Sequence, residues 1–214
     1  MREDVLERLL TAERLRSSAE VTGSSAGALR LSAWNMRASA SVMELAGVVE
    51  VVARNALDRE LRAWAAARSG RPWFDVAPPD ARGTADLAKA RARAGRNARL
   101  DEVHGRVIAE LTFGFWRYLV ESRHHTSLWV PDLHRAFPHG PDNLRVRRSE
   151  VTRRLQQLHF VRNRAAHHEP IHARDLHRDH DYAIELLDWI SPVAAEWAAC
   201  TTSLRAVLAT RPSA

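Results

Sequence analysis

An arginine, an asparagine and two histidines lie close together in one short segment, residues 160–170, of sequence FVRNRAAHHEP. Arg162 and Asn163 are adjacent, His167 follows Asn163 by four positions, and His168 comes next. An arginine can hold a phosphate through paired hydrogen bonds, and a histidine exchanges protons near neutral pH. These groups could cleave RNA without a metal ion. The 2′-hydroxyl would attack its own phosphate while a histidine moves protons and the arginine stabilises the charge.

The segment is expected to end a helix that runs from about residue 143 to 169 and is stopped by Pro170. Asn163 and His167, four apart, share a helix face, whereas Arg162 lies about 140° from His167 around the axis. Arg162 and His167 could therefore flank one phosphate from the two rims of a groove, or across an interface between two copies of the helix. Two copies would also supply two histidines, one for each proton transfer. The predicted buried stripe of this helix is Val151, Leu155, Leu158, Val161 and Ala165.

Arg162 lies at the edge of that stripe, where an unpaired charge is costly. It is therefore either the partner of an internal carboxylate, with Glu50 and Glu44 as candidates, or a group held ready for an anion. Glu50 is four positions from Arg54. Those two residues either form a simple surface pair, or Glu50 and Asn55 face the motif helix and hold Arg162 or the nearby histidine in place.

The remaining sequence is typical of an all-α protein, because alanine, leucine, arginine and glutamate dominate and strand-forming residues are sparse. The longest predicted helix covers about residues 26–68. Further helices are expected over about residues 3–16, 101–122 and 179–209, the last with a kink at Pro192. We predict one domain over residues 1–214, a bundle of five to seven helices. The apolar stripe of the longest helix is Leu31, Ala38, Val42, Leu45, Val49, Val52 and Ala56.

The formal net charge is +6, and nearly all of the positive charge is arginine. A basic surface favours an anionic partner, RNA above all, although a compositional bias of the genome is an alternative explanation for the choice of arginine over lysine. The basic segment 80–99 is either a solvated helix or mobile loop, or an arm that contacts RNA; its basic residues include Lys89, Arg91, Arg93, Arg96 and Arg99. The candidate RNA-binding residues of the motif helix are Arg145, Arg147, Arg148, Arg153 and Arg154.

The single cysteine, Cys200, rules out an internal disulfide and fits a reducing compartment. No apolar run approaches the roughly 20 residues of a membrane span, and the charged N-terminus is unlike a signal peptide. We therefore expect a soluble, cytoplasmic protein that does not enter a membrane. Adjacent histidines such as His167 and His168 point in different directions from a helix, so we expect no metal site there and no cofactor.

The Arg162-Asn163-x-x-x-His167 pattern resembles the motif of the HEPN superfamily of helical ribonucleases. The longer segment 160–171 is similar to bacterial Abi-like (abortive-infection) proteins. Two further segments, in the same order along the chain, are also similar to that family. One is LSAWN at residues 31–35 leading to EVVARNALD at 50–58, and the other is ELTFGFW at 110–116. The resemblance extends over roughly residues 30–190.

The resemblance implies a helical fold, a homodimer formed through the motif helix, and metal-independent endoribonuclease activity. It also implies a toxin that acts in phage defence and is paired with an RNA or protein antitoxin. Arg162, Asn163 and His167 match the catalytic positions, and His168 also fits the pattern, so which imidazole acts is open. Two alternatives remain for a protein of this fold: a non-catalytic RNA-binding module, and a module that pairs with a modifying antitoxin.

Overall fold

The structure, a computed structural model, describes residues 3–77, 80–96 and 101–212. Within these residues all regular structure is helical, with no strand, as the composition predicted. The eleven α-helices exceed the predicted five to seven. They are α1 (Glu3–Leu10), α2 (Ala12–Thr22), α3 (Ser25–Ala66), α4 (Trp73–Val76), α5 (Ala81–Ala94), α6 (His104–Glu110), α7 (Phe113–Leu119), α8 (Leu144–Ala166), α9 (Leu176–Ile190), α10 (Pro192–Thr201) and α11 (Leu204–Leu208). Short 3₁₀ and π turns at Ser122–His124, His125–Trp129 and Leu133–Ala136 link α7 to α8.

The number of helices is larger than predicted because three expected helices are divided. Thr11, with a positive φ of 68°, separates α1 from α2. Thr112 leaves helical geometry and caps α7 by accepting the backbone N–H of Phe115 at 3.4 Å. Pro192 does not kink a long helix but begins α10, because proline is compatible with the first turn of a helix and not with its interior.

The 42-residue helix α3 is the central element of the fold, and at 1.5 Å per residue it is about 63 Å long. It begins where predicted, because Gly23 ends α2 in the left-handed conformation and the Ser24 hydroxyl accepts the N–H of Gly27 at 3.1 Å. Its predicted apolar stripe is buried, apart from the partly buried Val52. Helices α2, α8 and α9 pack along it.

α8, which carries the motif, begins at the predicted place and ends early. The Asn143 side chain caps its first turn by accepting two backbone N–H groups, at 3.0 and 3.2 Å. The last helical residue is Ala166 and not residue 169, since Pro170 lacks an N–H and disfavours helical geometry in the residue before it. His167 therefore lies in the turn that follows the helix.

Two backbone hydrogen bonds close the end of α8. The N–H of His168 donates to the carbonyl of Ala165 at 3.0 Å, and the N–H of Glu169 donates to that of Arg164 at 2.8 Å. This is the Schellman arrangement, whose left-handed position is usually a glycine. His168 occupies that position with a φ of 57°. The backbone at the motif is therefore held in a conformation that side chains other than glycine adopt only at a cost.

The basic segment 80–99 is a packed helix over most of its length and not a mobile loop. Leu87 of α5 is buried, and Arg91 and Arg93 form ion pairs at 2.6 and 2.7 Å with carboxylates that follow α5 in the chain. These pairs occupy two of the arginines that an RNA-contacting arm would use. Arg99 lies outside the described residues.

One connected hydrophobic core joins α3, α7, α8 and α9. Tryptophans Trp34, Trp73, Trp116 and Trp129 are its largest fully buried side chains. Phe113, Phe115 and Trp116 are core residues, and they hold α7 against α8 beside the motif. None of the helices in the described part of the chain is both long enough and apolar enough to cross a membrane.

Candidate functional site

A cavity of about 400 Å³, here called the motif cavity, lies between α7 and the end of α8. Asn163 and His167 line it, so the structure brings together two of the residues that the sequence predicted as catalytic. Most of its wall comes from α8 at intervals of three and four residues, which is one helix face. The other lining residues are Arg117, Gln156, His159, Phe160, Arg164 and Glu169.

Asn163 is held from both sides by hydrogen bonds. Its Oδ1 accepts from Nη1 of Arg162 at 3.3 Å, and its Nδ2 lies 3.2 Å from Nε2 of His159. Because the carbonyl oxygen of the amide faces the guanidinium, the NH₂ group faces the imidazole and donates to it. Nε2 of His159 is therefore an acceptor, which places the ring proton on Nδ1 and makes the imidazole neutral.

The surroundings of His159 favour that neutral form. The ring is half-buried and meets Phe113 edge-on, with 5.8 Å between the ring centroids. Burial lowers the pKa of His159, and the positive charges of Arg117, Arg162 and Arg82 lower it further. Gly114 lies against the ring, since a Cβ at that position would be 3.3 Å from Nε2. Packing and charge thus keep His159 as a hydrogen-bond acceptor for Asn163.

Glu50 interacts electrostatically with Arg162, and neither residue lines the motif cavity. Burial raises the pKa of this half-buried carboxyl, while the charges of Arg162 and Arg54 and the backbone N–H of Phe113 lower it. The structure therefore brings Glu50 of α3 close to the motif helix, where it balances the charge of Arg162. An electrostatic interaction links Glu50 to Arg162, and hydrogen bonds link Arg162 to Asn163 and Asn163 to His159. These four residues are here called the motif network.

Asn55, expected to act together with Glu50, and Glu44, the alternative partner of Arg162, both lie outside the motif network. Asn55 is exposed, and its Oδ1 accepts from the side chain of Arg54 at 3.5 Å. It therefore does not take part in the motif network, and the supporting role expected for it is not seen. Glu44 accepts from the backbone N–H and the hydroxyl of Ser203, at 2.8 and 2.6 Å, so it is not the partner of Arg162.

The two candidate histidines differ in position. His167 is exposed and lines the motif cavity as the residue that directly follows α8. His168 is exposed as well, but its left-handed backbone turns it out of the described cavity wall. The turn is held by Arg164, which donates to the carbonyl of Pro170 at 2.9 Å. Of these two candidates, His167 is thus the one that can reach a group bound in the motif cavity.

Two arginines line the motif cavity, Arg117 of α7 and Arg164 of α8, whereas Arg162 does not. The side chain of Arg117 is largely buried, and its Nη1 lies 3.0 Å from a carboxylate oxygen of Glu121. Its Nε is buried without an acceptor in the described part of the chain. Arg162 is half-buried between Glu50 and Asn163, so it can act on a ligand in the cavity through Asn163.

The structure does not place the five candidate RNA-binding arginines on one surface. Arg147 is buried and donates to the backbone carbonyls of Pro141, Gly140 and His134, at 2.7, 3.1 and 3.3 Å. Its guanidinium fixes the loop that precedes α8. The expectation that Arg147 contacts RNA is therefore replaced by a structural role.

Arg154 is buried too, and its guanidinium bonds the carboxylates of Glu150 and Glu185. It therefore joins α8 to α9 and, like Arg147, has no face free for RNA. Arg145 and Arg153 are exposed, and Arg148 is half-buried. These three remain candidates for contacts with a nucleic acid.

Two residues of the site, His159 and Arg117, were not predicted from the sequence as catalytic groups. His159 precedes Asn163 by four positions, so the helical spacing that grouped Asn163 with His167 could have found it. Arg117 gave no such signal, because it reaches the cavity through the packing of α7 on α8, which is a tertiary contact. Arg117 directly follows the segment 110–116, in a stretch that the sequence predicts as an aromatic-rich helix.

Among the described residues, no group of three histidine, cysteine, aspartate or glutamate side chains is arranged to hold a metal ion. No protein-family model, curated protein or solved structure matches the chain.

Proposed function

We propose that this protein is a metal-independent endoribonuclease of the HEPN type, which acts as an Abi-like toxin in phage defence. The observation that carries the proposal is the motif cavity, where His167, Asn163 and Arg117 face one space of about 400 Å³. An exposed imidazole, a fixed amide and a guanidinium with an unused donor are the groups that cleavage of a phosphodiester requires.

In the proposed reaction the 2′-oxygen of one nucleotide attacks the adjacent phosphorus, and the bond from phosphorus to the 5′-oxygen breaks. The products are a 2′,3′-cyclic phosphate and a 5′-hydroxyl. His167 takes the proton of the 2′-hydroxyl or protonates the leaving oxygen. Arg117 stabilises the charge on the phosphate oxygens, and Asn163, held by Arg162 and His159, orients the phosphate.

Each chain offers one exposed imidazole at the motif cavity, whereas the reaction has two proton transfers. We therefore propose a homodimer through the motif helix, in which two cavities face each other and each supplies a His167. Phe160 supports this arrangement, because it lines the cavity and is 50% exposed, so it offers an apolar contact at that face.

Cleavage of total RNA in excess EDTA tests the proposal, with wild type, His167→Ala and His168→Ala as the three proteins. We expect wild type and His168→Ala to produce ends with 2′,3′-cyclic phosphate, and His167→Ala to produce none. Cleavage that requires a divalent ion, or that survives in His167→Ala, would contradict the mechanism. Growth arrest of a bacterial host by wild type but not by His167→Ala tests the role as a toxin.

A second candidate is a non-catalytic RNA-binding protein of the same fold. The position of Arg162 favours it, since this arginine bonds Asn163 and faces Glu50 instead of lining the cavity. RNA that stays intact but is bound equally by wild type and His167→Ala would support this candidate. A mass increase on co-expression with a modifying antitoxin would support the third alternative, a module that pairs with such a partner.

A further inference from the structure

A second groove, here called the upstream groove, lies on α8 before the motif cavity. Its volume is about 460 Å³. It is formed by the first half of α8 and by the turn that follows α7. Its wall is almost entirely polar and includes three hydroxyl groups and two arginines. The lining residues are Glu121, Ser122, Arg148, Ser149, Thr152, Arg153 and Gln156.

The upstream groove and the motif cavity adjoin, because Gln156 lines both of them. The α8 residues of the two walls follow one another at intervals of three and four, so they form a continuous stripe on one helix face. Arg148 and His159 are eleven positions apart, which is about 16 Å along the axis. This distance equals about five stacked nucleotides of a strand at 3.4 Å each.

Each of the two sites contains an arginine with an unused donor. Nε of Arg148 in the upstream groove and Nε of Arg117 in the motif cavity are both buried and have no acceptor among the described residues. A buried donor left unpaired is unfavourable, and more so when the group is charged. A bound anion would compensate the charge of both guanidinium groups.

The carboxylates near the upstream groove are already compensated. Glu121 lies 3.0 Å from Arg117 and 3.1 Å from Arg123, and Glu150 lies 2.5 Å from Arg153. The side chain of Arg148 is held more weakly, since its Nη1 donates to the carbonyl oxygen of Val120 at the long distance of 3.5 Å. The guanidinium of Arg148 is therefore the cation of this groove with the most unused bonding capacity.

We infer that the upstream groove binds the backbone of a single RNA strand whose scissile phosphate, several nucleotides further along, lies in the motif cavity. The inference rests on the proposed function and adds a second phosphate-binding position, with Arg148 as its central residue. Each space is the size of a small-molecule pocket, which accepts one strand and not a duplex. The hydroxyls of Ser122, Ser149 and Thr152 can pair with phosphate oxygens and with the 2′-hydroxyl that distinguishes RNA.

The test is the binding of fluorescent RNA of two lengths to the full chain carrying His167→Ala, which separates binding from cleavage. Arg148→Gln is compared with Arg37→Gln, a control that removes the same charge at an exposed residue of α3 that lines neither the upstream groove nor the motif cavity. We expect Arg148→Gln to weaken the binding of an eight-nucleotide RNA at least tenfold, and Arg37→Gln less than threefold. A dinucleotide, which spans the motif cavity alone, should bind both variants equally.

Equal losses in the two variants would overturn the inference, since they would indicate a general effect of charge. Unchanged binding of the eight-nucleotide RNA by Arg148→Gln would overturn it too, as would full competition by an acidic peptide of the same charge. A loss limited to Arg148→Gln in a protein that never cleaves RNA would support the groove and count against the ribonuclease. Cleavage of RNA by the wild type, together with normal RNA binding by Arg148→Gln, would support the ribonuclease and overturn the inference about the groove. Matching melting temperatures would show that all variants are folded.

Discussion

Replacing His168 with glycine should stabilise the protein, because this residue occupies the left-handed position at the end of α8. Its φ is 57°, and the hydrogen bonds on either side of it fix that conformation. The left-handed conformation costs a residue with a Cβ about 1–2 kcal/mol. Glycine avoids this cost but loses about 0.5–1 kcal/mol more through its greater freedom in the unfolded chain. The expected net gain is about 0.5–1 kcal/mol.

For a protein of this size that gain corresponds to a rise of about 1–4 °C in the melting temperature. Urea unfolding gives the free energy directly, and His168→Ala is the matched control. The alanine variant also lacks the imidazole but keeps the Cβ, so it should show no gain. A glycine variant that is less stable than wild type, or equal gains in both variants, would refute the reasoning from backbone strain.

The same pair of variants separates the two histidines of the motif. If His167 is the histidine that acts, His168→Gly should keep its ribonuclease activity while it gains stability. A glycine variant that gains stability but loses cleavage would assign the catalytic role to His168 in place of His167. The cost of its strained backbone would then be retained for the sake of catalysis.

Three further predictions follow from burial and charge. Burial and nearby arginines lower the pKa of His159 in the folded state, so its contribution to stability is present above the unfolded pKa of about 6.5 and is lost as the pH falls below it. Urea unfolding at pH 7.5 and 5.5 should therefore show a smaller acid-induced loss for His159→Gln than for wild type. Arg147→Met should lower the free energy of unfolding by about 2–4 kcal/mol, because three buried or partly buried carbonyls lose their donor, whereas Arg145→Met should change it little. Phe160→Ser should give the mass of one chain by light scattering and no cleavage, while the control Trp197→Ser, at another exposed aromatic residue, should remain a dimer. Dimers of Phe160→Ser would contradict the proposed interface.

The elements whose signals are local could be predicted from the sequence. The all-α class follows from composition, and the start of α3 follows from Ser24 and Gly23, which act within a few residues of their own position. The buried stripe of α3 was equally predictable, because a helical repeat depends on sequence spacing alone. The breaks at Thr11 and Thr112 were not, since a single threonine within an apolar pattern gives no clear signal to end a helix.

The candidate site was predictable to a smaller extent, because it depends on packing. The spacing of Asn163 and His167 placed them correctly on one face, although it assumed a helix that in fact ends at Ala166. The burial of Arg147 and Arg154 could not be foreseen, since their partners are loop carbonyls and carboxylates of other turns and helices. A cluster of arginines in a sequence is therefore weak evidence for a nucleic-acid surface until the partners of each guanidinium are known.

The motif network explains why Arg162 is found beside Asn163. A half-buried guanidinium needs a counter-charge, and Glu50 of α3 supplies it, while the same guanidinium fixes the carbonyl oxygen of the Asn163 amide. Since His159 takes the other end, the amide has one orientation, and its face toward the cavity is set before any ligand binds. Preorganisation of this kind reduces the cost of orienting a phosphate in the transition state. In the proposed reaction Arg162 would therefore position Asn163, and Arg117 would contact the phosphate.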